Sequence, residues 1–421
     1  MRSGAANPTA KLTAIIGGMA AGADSIDDLD VIRSGGMKSL FGGVHAAPTL
    51  GIFLREFTHG HNRQLAAVLR RHLVALVART PVLAGVEYRT FIDIDSLLRP
   101  VYGHAKLGAS YGHAKIAGKN ILRKGLSPLA VTISTDVAAP VLAGVRLRAG
   151  RAGSAKGAAS ILTEGINTAI AAGATPATIL TRGDSAYGNS KTITAVVKTG
   201  ALFSFTMARN PAIDAAISSI GDDAYIPVHY PGAVLDPDTG ELISDAQVAE
   251  VPYTAFAGTR YQITARLIVR RVLDANTQDP LFPVWRHHPF FTTNTEPVAQ
   301  ADITHRRHAI CETVWSDLID GPWALRVPKT SSALVTAGLI IANDLAPGLP
   351  YAAHGITDVS WAMMPYCAAS TGLPRRDQRA RVGATATDER PCEGRRNPGP
   401  TPPDHRPATT TARREGPVHS G

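Results

Sequence analysis

The stretch Phe91-Ile92-Asp93-Ile94-Asp95-Ser96 governs the reading of this sequence. Its alternation has the period of a β-strand, so Ile92 and Ile94 share one face while Asp93 and Asp95 share the other, roughly 7 Å apart. Carboxylates on an inner strand are expensive to bury unless something cationic compensates them. Two readings stand level here: a salt bridge to a nearby Lys or Arg, or a functional pair of acids. Downstream, Ile179-Leu180-Thr181-Arg182-Gly183-Asp184-Ser185 places another acid just past a strand, at the opening of a loop. Ligand sites of α/β sheets gather at the carboxyl ends of strands. If these two strands are parallel neighbours, Asp95 and Asp184 converge.

Working outward from those strands, the pattern between 86 and 207 alternates β and α. A strand over Tyr88–Asp95 is followed by a hairpin from Leu129–Thr135 and Val141–Arg148, then a helix over Ser154–Ala171 with Ala158, Ile161, Leu162, Ile166 and Ile170 inward. A strand over Ala177–Leu180, a helix over Ser190–Lys198 stopped by Gly200 and a strand over Ala201–Met207 complete the series. This order predicts an α/β fold, a mixed sheet with an antiparallel edge and helices packed over it. Residues 1–85 read as a helical N-terminal region. Leu12 to Ala23 has helical spacing rather than the character of a secretory signal, Ser25 caps a turn ended by Gly35 and Gly36, and Leu65, Val68, Leu69, Leu73, Leu76 and Val77 form one stripe. Arg63, Arg70 and Arg71 lie opposite that stripe, where a helical region ahead of a catalytic domain commonly grips DNA. Residues 208–300 read as an all-β insertion, with alternation along Gln262–Val272. Asp302 then opens a helix carrying Ile303, Ile310, Val314 and Leu318, closed by Asp320, Gly321 and Pro322.

The 421 residues carry 43 Lys plus Arg against 34 Asp plus Glu, a net charge of +9 and a pI near 9.6, which favours anionic partners, nucleic acid foremost. Cys311, Cys367 and Cys392 have no C-x-x-C spacing, so neither a disulfide framework nor a zinc knuckle is written, and a reducing cytoplasm is the expected compartment. The longest apolar run, near 333–342, is far short of the roughly 20 residues of a spanning helix, so no membrane partner is expected. Residues 323–374 are an atypical C-terminal segment without sustained period. From 375 to 421 there are 10 Arg, 7 Pro and no Ile, Leu, Met, Phe, Trp or Tyr, which predicts a disordered tail.

The positive charge is concentrated. Between Arg99 and Arg151 there are nine basic residues, Arg99, Lys106, Lys115, Lys119, Arg123, Lys124, Arg146, Arg148 and Arg151, against Asp136 alone. With Gly103, Gly108, Gly112 and Gly118 interspersed, this segment reads as a flexible basic loop suited to the phosphate backbone of DNA. Two carboxylates converging beside it repel one another and need a cation to stay ionised. Hard oxygen donors suit Mg²⁺ or Mn²⁺. No G-x-x-x-x-G-K-[ST] motif is present, so ATP is not expected.

The runs DIDSLLRPVYGHAKLGASYGHAK, TRGDSAYGNSKTI, ARLIVRRV and HRRHAICETVWSDLIDGP resemble bacterial insertion-sequence transposases of the DDE class, specifically the thirteen-eighty insertion-sequence group within the insertion-sequence-four-like superfamily, over residues 8–322. The resemblance implies an RNase H-like fold, interrupted by a β-rich insertion between the second Asp and the Glu. It also implies two Mg²⁺ (or Mn²⁺) ions and an enzyme that cuts and joins double-stranded DNA at the terminal inverted repeats and in the target. The matched acids are Asp95, followed by Ser96, with Asp93 as the alternative; Asp184; and Glu312, 128 residues beyond Asp184. These three serve as catalytic residues and metal ligands in the resemblance. Relatives place Tyr and Arg seven and four residues before the Glu and Lys seven after it. Here His305, His308 and Ile319 stand there, leaving His305, Arg306, Arg307 and His308 to reach phosphate. A homodimer on paired ends and a nucleoid-associated location follow from the same likeness. Beyond Pro322 the Arg, Pro, Gly and Thr bias resembles out-of-frame translation, which raises a truncated or frameshifted copy. The rival functions are an inactive remnant that only binds DNA and a structure-selective nuclease.

Overall fold

A computed structural model of the chain describes residues 6–21, 23, 26–34, 44–101, 108–116, 119–230, 246–273, 284–312 and 314–315. The tail from 323 onward, Leu318–Pro322, Ser25, Gly35, Gly36, Gly103, Lys106 and Gly118 fall outside these residues.

The N-terminal region is helical, as its periodicity predicts: α1 (Pro8–Ala20), a 3-10 turn over Asp27–Arg33, α2 (Ala47–Arg55) and α3 (His59–Val77). Ala14, Ile15, Leu29, Ile32, Leu50, Phe53 and Leu54 close a small core of their own. Helix α3 starts at a capping box, in which the Thr58 hydroxyl accepts from His61 N–H and the His61 ring accepts from Thr58 N–H. It turns Leu73, with Leu76 and Val77 beside it, into the main core, while Val68 of the same predicted stripe is exposed.

The rest of the described chain is built on one mixed sheet. Its strands are β1 (Thr90–Ser96), β2 (Arg99–Pro100), β3 (Ser110–Ile116), β4 (Lys119–Thr135), β5 (Val141–Ala149), β6 (Ile179–Gly183), β7 (Leu202–Thr206), β8 (Ile226–Pro227), β9 (Ala246–Ala255), β10 (Ile263–Leu273) and β11 (Trp285–Thr292). The order is β2-β4-β1-β6-β7-β11-β10-β9-β8, with β3 and β5 also paired to β4. Strand β1 is antiparallel to β4 and parallel to β6, and β6 is parallel to β7. The condition for Asp95 and Asp184 to converge is therefore met. Helices α4 (Ala158–Ala171) and α5 (Ser190–Val197) cover the sheet face that presents Ile92, Ile94, Val131 and Ile133. Helix α7 (Val298–Arg306) and the helical residues after it lie on the opposite face, where Val314 and Trp315 pack on Ala130, Leu142 and Val145.

Several predicted boundaries move for local reasons. The helix expected from Ser154 begins at Ala158, because Gly157 takes a left-handed conformation (φ +84°) immediately before it. The strand expected over Ala177–Leu180 is Ile179–Gly183, since Pro176–Thr178 form a 3-10 turn. The helix expected to open at Asp302 starts at Val298, and Asp302 is buried within it, accepting from the Tyr230 hydroxyl at 2.5 Å. Residues 208–300 are not all β: α6 (Pro211–Ser218), capped by the Asn210 side chain, precedes the strands. Those strands also extend the central sheet, because β11 pairs with β7.

The largest departure concerns the basic segment. Instead of a flexible loop, residues 110–116 and 119–126 are the two arms of a β-ribbon, with Tyr111 opposite Lys124 and His113 opposite Leu122. Strand β4 is 17 residues long and begins ten residues before the predicted hairpin. Backbone pairing to β3 and β2 overrides the glycine content that argued for a loop.

Candidate active site

Asp93 and Asp95 share a sheet face but have different surroundings. Asp93 is fully buried and stands opposite Arg182 in the parallel register of β1 and β6. Arg182 donates Nε–H to one Asp93 oxygen at 2.7 Å and Nη2–H to the other at 2.8 Å. Its remaining Nη1 donates to the Thr304 carbonyl on α7 at 2.7 Å, and its guanidinium lies 4.2 Å from the centre of the Phe91 ring. Such a bidentate, desolvated pair occupies both partners. For Asp93, the salt-bridge alternative is the one realised.

Asp95, two residues on, sits at the carboxyl end of β1 and is only half-buried. The Ser96 N–H donates to its Oδ1 at 2.6 Å. Its pKa is pushed up to about 6, first by burial and, after the opposing effect of that N–H, by the negative charges of Asp184 and Glu312. The three acids therefore share one electrostatic neighbourhood although they lie 89 and 128 residues apart in sequence.

Each acid is held by its own element. Gly183 ends β6, and a Cβ there would come within 2.9 Å of Ile94 Cγ2 and 3.1 Å of Phe205 Cε1, so only glycine lets the strands close up at this point. Asp184 then emerges exposed, its Oδ1 accepting from Ala186 N–H at 2.9 Å, which fixes the turn. Glu312 is exposed on the helical stretch after α7, and its neighbours Cys311, Val314 and Trp315 are buried against the sheet. Cys311 Sγ lies 3.6 Å from Thr132 Oγ1, beside an irregularity in the β4–β5 pairing between Val131 and Thr132. Burial, and then Asp93, push its thiol up, so it is a packing residue here.

Two residues that the sequence did not single out complete the surroundings. Tyr187 is fully buried, and its hydroxyl makes no hydrogen bond of normal length among the described residues. Burial, with Asp95 and Asp184 nearby, pushes its phenol up. Arg182 ties β6 to both Asp93 and α7, and thereby sets where the helix bearing Glu312 crosses the sheet. The signal for Arg182 was its parity: it lies two residues before Asp184 on a strand parallel to β1, directly across from Asp93.

Asp95, whose pKa is raised by burial and then by the charges of Asp184 and Glu312, is with those two acids a set of hard oxygen donors chemically suited to a divalent cation. The buried Tyr187 hydroxyl, which interacts with Ser96 but makes no hydrogen bond of normal length among the described residues, is a further polar group near them. Among the described residues, no group of three or more His, Cys, Asp or Glu side chains is drawn close enough to hold one ion jointly.

The sequence itself matches a family model described as transposase DDE domain group 1, over residues 8–313. The chain belongs to that family. No curated protein matches it. In this transposase domain the matched region spans the helical N-terminal region, the whole sheet and α7, and it takes in all three acids.

The residues expected to contact DNA are distributed unevenly. Arg99 is half-buried on β2, Arg123 is exposed on β4, and Lys124 lies beside it opposite Tyr111. Lys115 and Lys119 stand on β3 and β4 at the last residue pairs of the ribbon. Arg307 is exposed, 3.5 Å from Asp136, and His308 Nδ1 donates to the His305 carbonyl at 2.7 Å. His305 is a correction. It is buried, stacked on Phe290 with ring centres 4.2 Å apart, and both ring nitrogens are hydrogen-bonded, to Ser204 Oγ at 2.9 Å and Thr206 Oγ1 at 3.1 Å. Burial, then the nearby His308 and Arg182, hold its pKa well below the usual range, so it is neutral and turned away from solvent. Arg63 and Arg70 are likewise engaged, pairing with Glu164 at 2.6 and 3.0 Å, where Arg146 joins them at 2.5 Å. Arg148 donates to the carbonyls of Ser127, Gly153, Ser154 and Lys156. These four arginines fasten α3 and the loop before α4 to the sheet. Arg71 remains exposed.

No helix among the described residues is long and apolar enough to cross a membrane.

Proposed function

We propose that this transposase is that of a bacterial insertion sequence of the thirteen-eighty group, and that it cuts and rejoins double-stranded DNA at the element's ends through Asp95, Asp184 and Glu312. The observation carrying this reading is that β1 and β6 run parallel and side by side, so that Asp95 at the carboxyl end of β1 and Asp184 just past that of β6 lie together. The pairing of Arg182 with both oxygens of Asp93 supports Asp95, rather than Asp93, as the first carboxylate. An RNase H-like core is supported by the order β5-β4-β1-β6-β7, in which β4 and β5 form an antiparallel meander with β1 while β6 and β7 run parallel to it.

Asp95, Asp184 and Glu312 would hold Mg²⁺ or Mn²⁺, two ions in the family's manner. A divalent metal held there would supply Lewis-acid activation of a water or 3′-hydroxyl and charge stabilisation for the departing oxygen. The chain's own groups orient the reaction. The Ser96 N–H holds Asp95 Oδ1, the Ala186 N–H holds Asp184 Oδ1, and Arg182 fixes the crossing of α7. Arg99, Arg123, Lys124, Arg307 and His308 are the described residues proposed to steady the phosphate backbone, with Lys106, Lys115 and Lys119 in the same segment. A homodimer acting on paired ends, within the bacterial nucleoid, belongs to the same reading.

The joining step separates this function from its rivals. Purified protein is incubated with Mg²⁺, duplexes ending in the DNA that flanks the gene, and a supercoiled target plasmid. Joining of the 3′ ends into the plasmid is expected. Binding without cutting supports an inactive remnant, and cutting of branched DNA without joining supports a nuclease.

A further inference from the structure

The β3–β4 ribbon is longer than the fold requires. Only Leu129–Thr135 of β4 pair with β1, so Lys119–Leu126 run on past the carboxyl end of β1, the end that carries Asp95 and, across the parallel pair, Asp184. Ser96 is level with Leu129. At about 3.4 Å per residue, Lys124 with its partner Tyr111 stands roughly 17 Å and Leu122 roughly 24 Å beyond that level along the strand.

One face of the ribbon is unlike a buried or a merely solvated strand. Tyr111 is 62% exposed and Leu122 is 55% exposed, and the register puts them on the same face as His113 and Lys124. Exposed Tyr and Leu on so basic a ribbon form an apolar strip between cations. From Arg99 to Thr135 the sequence has no acid at all. The root is tightly seated: a Cβ on Gly112 would fall 2.0 Å from the Gly150 carbonyl oxygen, and one on Gly150 would fall 2.2 Å from that of Ser110. The Arg151 N–H also donates to Ser110 Oγ at 2.8 Å. The ribbon is thus held at a fixed place relative to the carboxylates.

We propose that this ribbon reads duplex DNA in the major groove, at base pairs about 5–7 removed from the phosphate under attack. A two-stranded ribbon fits a groove about 12 Å wide, and DNA rises 3.4 Å per base pair, so about 17–24 Å along the ribbon spans that interval. Tyr111 and Leu122 make the apolar contacts to base edges, while Arg123 and Lys124 neutralise flanking phosphates. The absence of acids over this stretch selects DNA over a second copy of the same basic ribbon. The proposal rests on the transposase reading, and its test separates the two.

The full-length protein with Asp184→Ala, which binds without cutting, is given p-benzoylphenylalanine at position 111 and irradiated with 40-base-pair duplexes of the gene's flanking DNA or of scrambled sequence. Crosslinks to bases about 5 pairs from the cleavage position found with wild type are expected. Leu122→Ser is expected to lose the preference for flanking over scrambled duplex about tenfold, and Arg123→Ala to lower the log–log salt slope by about 1. Both positions are exposed, so unchanged melting curves show that each variant folds. If wild type cuts the DNA while the crosslink is missing and both variants bind as it does, the ribbon proposal is overturned and the transposase reading stands. A crosslink to a second protein chain overturns it in favour of a subunit contact. Failure of wild type to bind any duplex overturns both.

Discussion

Replacing Asp95 by Asn should stabilise the metal-free protein at high pH. In an unfolded chain this carboxyl titrates near 3.8. In the folded protein, burial first and the charges of Asp184 and Glu312 after it push it up to about 6. Between those values the folded state keeps a proton that the unfolded state has released. Stability conferred by the protonated form is therefore present below about pH 4 and lost as pH rises through about 6. At 1.36 kcal/mol per pKa unit the loss is at most about 3 kcal/mol, less where solvent screens the half-buried group. Asn has nearly the same shape, still accepts from the Ser96 N–H and carries no charge. In EDTA at pH 8 the variant should unfold about 1–3 kcal/mol later, a melting temperature several degrees higher, and at pH 4 the two should coincide. Thermal melts followed by circular dichroism at both pH values, with and without MgCl₂, measure this. Mg²⁺ should raise the wild-type midpoint at pH 8 and barely move that of the variant. A variant equal to or weaker than wild type at pH 8 in EDTA would show that Asp95 is not electrostatically frustrated, and the reasoning would fail.

Arg182→Met should destabilise by about 3–5 kcal/mol, because it strands the buried Asp93 carboxylate and frees the Thr304 carbonyl. Adding Asp93→Leu should recover part of that loss, which urea unfolding of the single and double variants checks. Glu164→Gln should loosen α3: burial alone would raise the Glu164 pKa, but Arg63, Arg146 and Arg70 hold it below its usual value. Its contribution is present above about pH 4.5 and fades as pH falls further, so limited proteolysis near His59–Val77 should quicken in the variant at pH 7 and match wild type in acid.

The sheet was legible where polar and apolar residues alternate. Asp93 and Asp95 on β1, a strand before Asp184 and the helices α4 and α5 follow from period and punctuation, whereas the parallel pairing of β1 with β6 was only a condition. Which of the two acids stays free was not legible, since that depends on Arg182, whose partnership exists only once β6 lies beside β1. The ribbon was misread for a related reason. Gly103, Gly108, Gly112 and Gly118 look like loop residues locally, whereas close passage of a neighbouring backbone is what selects Gly112. His305 illustrates the limit of motif position: it occupies a place from which relatives' side chains are expected to reach phosphate, yet Phe290, Ser204 and Thr206 take it into the core.

Mg²⁺-dependent cleavage of DNA carrying both ends of the element, by wild type and by Asp95→Asn, Asp184→Ala and Glu312→Gln separately, tests the central claim most directly. Cleavage at the ends by wild type, abolished by each substitution while DNA binding persists, is the predicted result. Cleavage that survives loss of any one of the three acids would contradict the claim that they form a single site.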